Sequence, residues 1–232
     1  MNKTLKVTSL ILGALLVLYI VLKYTGMCSP YTMATSGSEP NVKAGDFILA
    51  SNLITPKRGD FIIYEFDLPE FGKSSFVHRL CGMENDTIQI INGTLFVNGK
   101  NIDEQYNLQH SYLLSETQFK ALNDETIEHF LITTPEGSTG YLTFVDDVDA
   151  RRYKLAKDRY RTLKTIPDPQ TVETYQQPWN KDHFGPLIIP KGKIFVLGDN
   201  RDNSQDSRHF GLIDASAIKG VRWKTLFTFD TK

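Results

Sequence analysis

The chain has 232 residues, of which 41% are hydrophobic and 23% charged, with a formal net charge of −1 and a pI near 6.5. Such a composition fits an ordinary folded protein of one large or two small domains. It excludes a basic nucleic-acid binder and an acidic disordered tail.

The first 25 residues stand apart. Val7 to Leu22 is an apolar stretch with only Thr8 and Ser9 as mild polar interruptions, flanked by Lys3, Lys6 and Lys23. At about 1.5 Å per residue it is a little short of the roughly 30 Å hydrocarbon core. Leu5 and Tyr24 lengthen it, and the lysines can snorkel to the headgroups. A cleavable leader would need small residues at its exit, but Lys23-Tyr24-Thr25-Gly26-Met27-Cys28 has no Ala-x-Ala pattern. We read 1–25 as an uncleaved, single-pass anchor in a lipid bilayer. Two lysines before the span and one after it favour an amino terminus in the cytoplasm and the bulk of the chain outside. The cysteines, Cys28 and Cys81, carry no requirement for a disulfide.

From residue 44 the pattern turns β-rich. Phe47–Ala50 and Phe61–Tyr64 are short apolar runs opened by Gly45-Asp46 and Gly59-Asp60, a turn followed by a strand. Phe76–Met83 reads as a further strand. Thr87–Ile91 and Thr94–Val97 are punctuated by Asn92-Gly93 and Asn98-Gly99, the signal of tight hairpins with positive φ at both turn residues. Residues 103–183 differ: Glu, Gln, Lys and Tyr dominate, and helical periods run over Glu116–Phe130 and Asp147–Leu163. The β pattern returns at Leu187–Pro190, Lys193–Leu197 and Gly220–Phe229. The organisation expected is therefore an anchor (1–25), a first part of a β core (30–102), a variable α/β insertion (103–183) and a second part of the core (184–232).

The densest chemistry follows the Lys193–Leu197 strand. Gly198-Asp199-Asn200-Arg201-Asp202-Asn203-Ser204-Gln205-Asp206-Ser207-Arg208-His209-Phe210-Gly211 sets three Asp, two Arg and two Ser on a strand exit. By composition alone this is a cross-hydrogen-bonded polar loop. Its order, however, resembles the GDNRDNSxDSRxxG signature of the type I signal peptidase family at every fixed position. Phe184-Gly185-Pro186 with Ile189-Pro190-Lys191-Gly192 resembles the stretch before that signature. Gly45-Asp46-Phe47-Ile48-Leu49, His78-Arg79-Leu80 with Gly82 and Asp86, and the hairpins at 87–100 resemble further family segments. The resemblance spans roughly 35–102 and 184–225 and leaves the insertion uncovered.

The resemblance implies a mostly β, signal-peptidase-like catalytic core, held on the outer face of the cytoplasmic membrane. It would cleave signal peptides from exported preproteins through an acyl-enzyme, without a cofactor or metal. The substrate would be an extended segment docked as an added strand. Nucleic acid is not expected among its partners. Two departures bear on the catalytic residues. Most bacterial members carry a lysine base immediately before the Arg of the strand, where this chain has His78, as a smaller branch of the family does. A hydroxyl nucleophile needs a nearby base, and histidine titrates near neutrality without heavy tuning. Asp206, or else Asp199, would orient His78 through its other nitrogen, with Ser204, Arg208 and Arg79 in support. The second departure is in Thr35-Ser36-Gly37-Ser38-Glu39-Pro40-Asn41, which lacks one residue and a Met of the family's Ser-Gly-Ser-Met-x-Pro-Thr. Aligned on Ser-Gly-Ser, Ser38 is the nucleophile and Ser36 contributes to an oxyanion hole. Ser36 as nucleophile is the alternative. Aligned rigidly on Pro40, the nucleophile position falls on Gly37, and the chain would be a membrane-tethered binding or assembly protein. A dedicated processing peptidase with few substrates is a third reading.

Overall fold

Residues 3–68, 72–122, 127, 129–133, 137 and 139–229 are described by a computed structural model of the chain. The apolar stretch near the amino terminus forms helix α1 (Lys3–Tyr24). Its leucines, isoleucines and valines up to Val21 are exposed, and none of the span is buried against the rest of the chain. A helix apolar all round needs an apolar surrounding. Its exit is stiffly tied. The Thr25 and Cys28 N–H groups donate back to the Val21 and Leu22 carbonyls, and Asn52 bonds the carbonyls of Thr25 and Gly26.

The chain then enters β1 (Ser29–Thr32), β2 (Asp46–Ser51), β3 (Phe61–Leu68), β4 (Gly72–Gly82), β5 (Thr87–Ile91), β6 (Thr94–Val97), β7 (Lys100–Asn101) and β8 (Gln109–Leu114). After these come α2 (Glu116–Leu122), β9 (His129–Thr133), β10 (Thr139–Asp146), α3 (Asp147–Arg152) and α4 (Pro169–Tyr175). The last elements are β11 (His183–Ile188), β12 (Lys193–Leu197), α5 (Ser207–Phe210), β13 (Ile213–Asp214) and β14 (Ile218–Thr228). A seven-stranded sheet has the order β1-β2-β14-β3-β4-β12-β13; β11-β5-β6-β7 form a second sheet and β8-β10-β9 a third. The fold is mostly β, as expected.

The unbroken apolar run Phe61–Tyr64 follows from burial on both faces of β3. Phe61 and Ile63 pack with Met33, Val42, Ile48 and Val77, while Ile62 and Tyr64 pack with Leu80, Ile194, Val196 and Val221. Strand β3 pairs antiparallel with β4, setting Ile62 opposite His78 and Tyr64 opposite Phe76. The β5–β6 hairpin turns at Asn92-Gly93 with φ of 50° and 73°, and the next turn at Asn98-Gly99 with 52° and 77°, as the Asn-Gly pairs require. The second sheet packs on β12 through Ile88, Leu95, Phe184 and Phe195.

The helical expectations in the insertion are corrected. Over Glu116–Phe130, α2 ends at Leu122, and His129–Thr133 is a strand paired with β10; positions 123–126 and 128 lie outside the described residues. The run His-Phe-Leu-Ile-Thr suits a pleated surface better than a helix. Over Asp147–Leu163, α3 is capped by Asp146, whose side chain accepts from the Val148 and Asp149 N–H groups. It stops at Arg152, because Lys154 adopts a left-handed φ of 59° that a helix cannot continue. Both cysteines are free thiols, and burial pushes that of Cys81 up to about 12.

Candidate active site

Strand β4 delivers His78 and Arg79 to opposite faces of the large sheet, as adjacent strand residues must be. Arg79 forms a bidentate pair with Asp199, Nε to Oδ1 at 2.7 Å and Nη2 to Oδ2 at 2.5 Å. Its guanidinium lies over the rings of Phe61 and Tyr106, and Asn41 also donates to Asp199. This buried pair locks β4 to the first residue after the Gly198 turn.

His78 is buried, 6% exposed. Its Nδ1 lies 2.8 Å from the Tyr64 hydroxyl and its Nε2 lies 3.2 Å from the Ser204 hydroxyl. Burial holds its pKa down at about 4; the Asp206 charge opposes that, Arg208 adds to it and Asp199 opposes it. The ring is therefore neutral through the physiological range. With its proton on Nδ1, directed to Tyr64, the Nε2 lone pair faces Ser204.

The expected carboxylate partner of His78 is not at hydrogen-bond distance. Asp206 is fully buried and grips Arg208 with both oxygens at 2.8 Å. It also accepts from the Gly198 and Arg208 N–H groups and caps α5. Burial would raise its pKa, but the Arg208 charge and hydrogen bonds win and hold it well below the carboxylate range. Asp206 thus acts on His78 as a field rather than as an acceptor, and Asp199 is committed to Arg79. Sequence reasoning missed Tyr64, which reads as the end of an apolar run. On β3 it faces Phe76, so His78 is its diagonal neighbour on the same face, a pairing that becomes visible once the register is known.

The two serines of the amino-terminal motif fall in different surroundings. Ser38 is fully buried, and its hydroxyl donates to the Val77 carbonyl at 2.7 Å. Ser36 is half-buried and accepts from Asn203 Nδ2 at 3.2 Å. Between them, the Gly37 carbonyl accepts from the Asn200 N–H at 3.1 Å. A Cβ placed on Gly37 would point at Ser204, 3.6 Å from its Oγ. The two loops approach this closely because residue 198 is glycine; a Cβ there would strike the Gly37 carbonyl and the Ser204 hydroxyl.

The insertion braces the same loop. The Gln109 N–H donates to the Asp199 carbonyl, the Arg201 N–H to the Gln109 carbonyl, and the Ser111 N–H to Asp202. Arg201 pairs with Asp103 at 2.8 Å through both arms. A neutral imidazole between an anchoring phenol and a hydroxyl, beside immobilised charges, is an arrangement suited to proton transfer.

The family described as "Signal peptidase, peptidase S26" matches residues 4–226. Signal peptidase I of Buchnera aphidicola is 27% identical over 89% of this chain and 71% of its own length. That of Aquifex aeolicus is 27% identical over 89% and 78%, and signal peptidase IB of Staphylococcus aureus 28% identical over 89% and 81%. A crystal structure of a signal peptidase I from Enterococcus faecalis is 23% identical and covers 72% of this chain and 97% of its own, with a TM-score of 0.35.

Proposed function

We infer, for a chain that belongs to the signal peptidase, peptidase S26, family, that it is a membrane-tethered endopeptidase in which a serine hydroxyl attacks the scissile peptide and His78 is the general base. The family is one of serine hydrolases that process signal peptides. The observation that carries the mechanism is the neutral, buried His78 with its two nitrogens on Tyr64 and Ser204. His78 takes the hydroxyl proton as the serine ester forms, then returns it to the leaving amine; water deprotonated by the same ring releases the acyl group.

Tethering is supported by α1, apolar and uncovered over its length. It is also supported by the aromatic cluster of Phe47 on β2, Phe227 on β14 and Phe229 just beyond it. Phe227 and Phe229, with Trp223 and Leu226, are exposed, as suits a surface resting on lipid. With the amino terminus in the cytoplasm, the core faces the outer side. A second reading is a binding protein that keeps the fold, favoured by glycine at the position aimed towards Ser204.

The test is incubation of the full chain in detergent with a preprotein carrying a signal peptide. Cleavage at the signal junction supports the peptidase. Tight binding without cleavage supports the second reading. Resistance of the chain to alkaline extraction from membranes, together with protease access from the outer side only, checks the tether and its orientation.

A further inference from the structure

We propose that a cleft of the insertion, beside the tip of the β5–β6 hairpin, binds a phosphate group carried by a small molecule or a lipid headgroup. The site shares no residue with the surroundings of His78, and the proposal stands independently of the peptidase reading. The cleft measures about 390 Å³ and is lined by Tyr112, Asp147, Arg151, Lys154, Arg159 and Arg161 among others, a volume in the range of small-ligand sites. Four of these side chains are cationic and one is a carboxylate. Among the described residues, no carboxylate stands at ion-pairing distance from any of the four.

Two of the cations are held together on purely neutral partners. Arg159 Nη2 donates to the Gly93 carbonyl at 3.0 Å, and Arg161 Nε donates to the Asn92 carbonyl at 3.0 Å. The hairpin tip thus fixes both guanidiniums. Arg159 Nη2 also meets His110 Nδ1 at 2.9 Å. That ring is neutral, because burial and the Arg159 charge keep its pKa well below the usual histidine value. Arg159 Nε is buried and has no hydrogen-bond partner. Burial and the Arg161 charge hold the pKa of Arg159 below the ordinary arginine value. Taking a guanidinium out of water is costly unless a counter-charge stands close, and here the close charge has the same sign. An anion in the cleft supplies what is missing. Phosphate suits it, since planar guanidiniums offer paired donors to its oxygens and its double charge matches the cationic excess better than a carboxylate does. Arg151 and Lys154, both exposed, add charge around it. Asp147 opposes the anion. It is turned to other groups, however: its Oδ2 accepts from the Leu108 N–H at 3.1 Å and its Oδ1 lies 3.8 Å from His110 Nε2.

The experiment titrates the full chain in non-ionic detergent with inorganic pyrophosphate by calorimetry, with ionic strength held constant by sodium chloride. The expected result is saturable binding that Arg161→Gln weakens by about tenfold or more, the scale of one lost charge-assisted hydrogen bond. The exposed pair Arg151→Gln and Lys154→Gln, combined in one variant, should weaken it in the same direction. Melting temperatures without ligand show that each variant is folded. Two further probes identify the carrier: a hexose 6-phosphate, and dihexanoyl phosphatidic acid below its micellar concentration. Tighter binding of the first supports a soluble phosphate ester, and tighter binding of the second a lipid headgroup; both support the site. No saturable binding of any of the three probes, or equal affinity in the parent and both variants, overturns the proposal. Cleavage of a preprotein is not the readout, so such a failure leaves the peptidase reading standing.

Discussion

Two loops converge on His78, and they differ in how they hold their hydroxyls. The 36–41 loop turns its second serine inward, where the hydroxyl satisfies a strand carbonyl. The 198–206 loop is strung between ion pairs, Asp199 with Arg79 at one end and Asp206 with Arg208 at the other, and holds Ser204 towards the ring. Buried pairs of this kind are costly to break but fix geometry closely. In the loop with the more familiar catalytic spelling, the Ser38 hydroxyl is buried and already bonded. The loop whose spelling suggests support is the one that touches His78. What a hydroxyl can reach depends on the direction of its side chain, which the motif alone does not state.

The sharpest test of this contrast removes the partner at issue. His78→Ala should reduce cleavage by about 10³-fold, within the range for loss of a general base, with the melting temperature measured alongside to show that the fold persists. In the parent, cleavage should rise with pH around a midpoint near 4, not near 6.5, because burial depresses the pKa of His78. The sign for stability follows. Folded His78 resists protonation, so its contribution is complete above pH 6.5 and declines as pH falls towards about 4. An acid limb centred near 6.5 would instead mean an open, solvated imidazole.

Next in size is the approach of the two loops. Gly198→Ala should destabilise by about 1–3 kcal/mol, the usual cost of overpacking, as measured by denaturant unfolding. Its cleavage should fall further than its stability, because the added methyl would push Ser204 off the ring. Equal loss of both would imply that the loops are free to separate. The smallest effect belongs to Ser38→Ala. Losing the bond to the Val77 carbonyl should cost about 1 kcal/mol, a cost that unfolding curves would register.

Much of this was legible in the sequence. The hairpins were readable because Asn-Gly meets a local demand for positive φ, and β12 because a bounded apolar run precedes a polar cluster. His78, Arg79 and the signature loop could be named because their order is contiguous. Tyr64 could not, since its bond to His78 depends on cross-strand register. The fate of Ser38 could not either, because motif letters do not reveal which way a shortened loop faces. Strand β9 was hidden by Glu- and Lys-rich surroundings that mimic a helical period; its pairing with β10 is a tertiary outcome that overrides local preference.

The joint after α1 has a consequence of its own. Four residues, Thr25 to Cys28, separate the helix from β1, and Asn52 ties two of their carbonyls to the sheet. With α1 in a bilayer, such a joint works less like a leash than like the fixed arm of a gauge. The cutting atoms are held at one height above the lipid surface, so a substrate's own span would bring each successive bond to that height in turn. Where a chain is cut would then depend on measured distance as well as on side-chain fit.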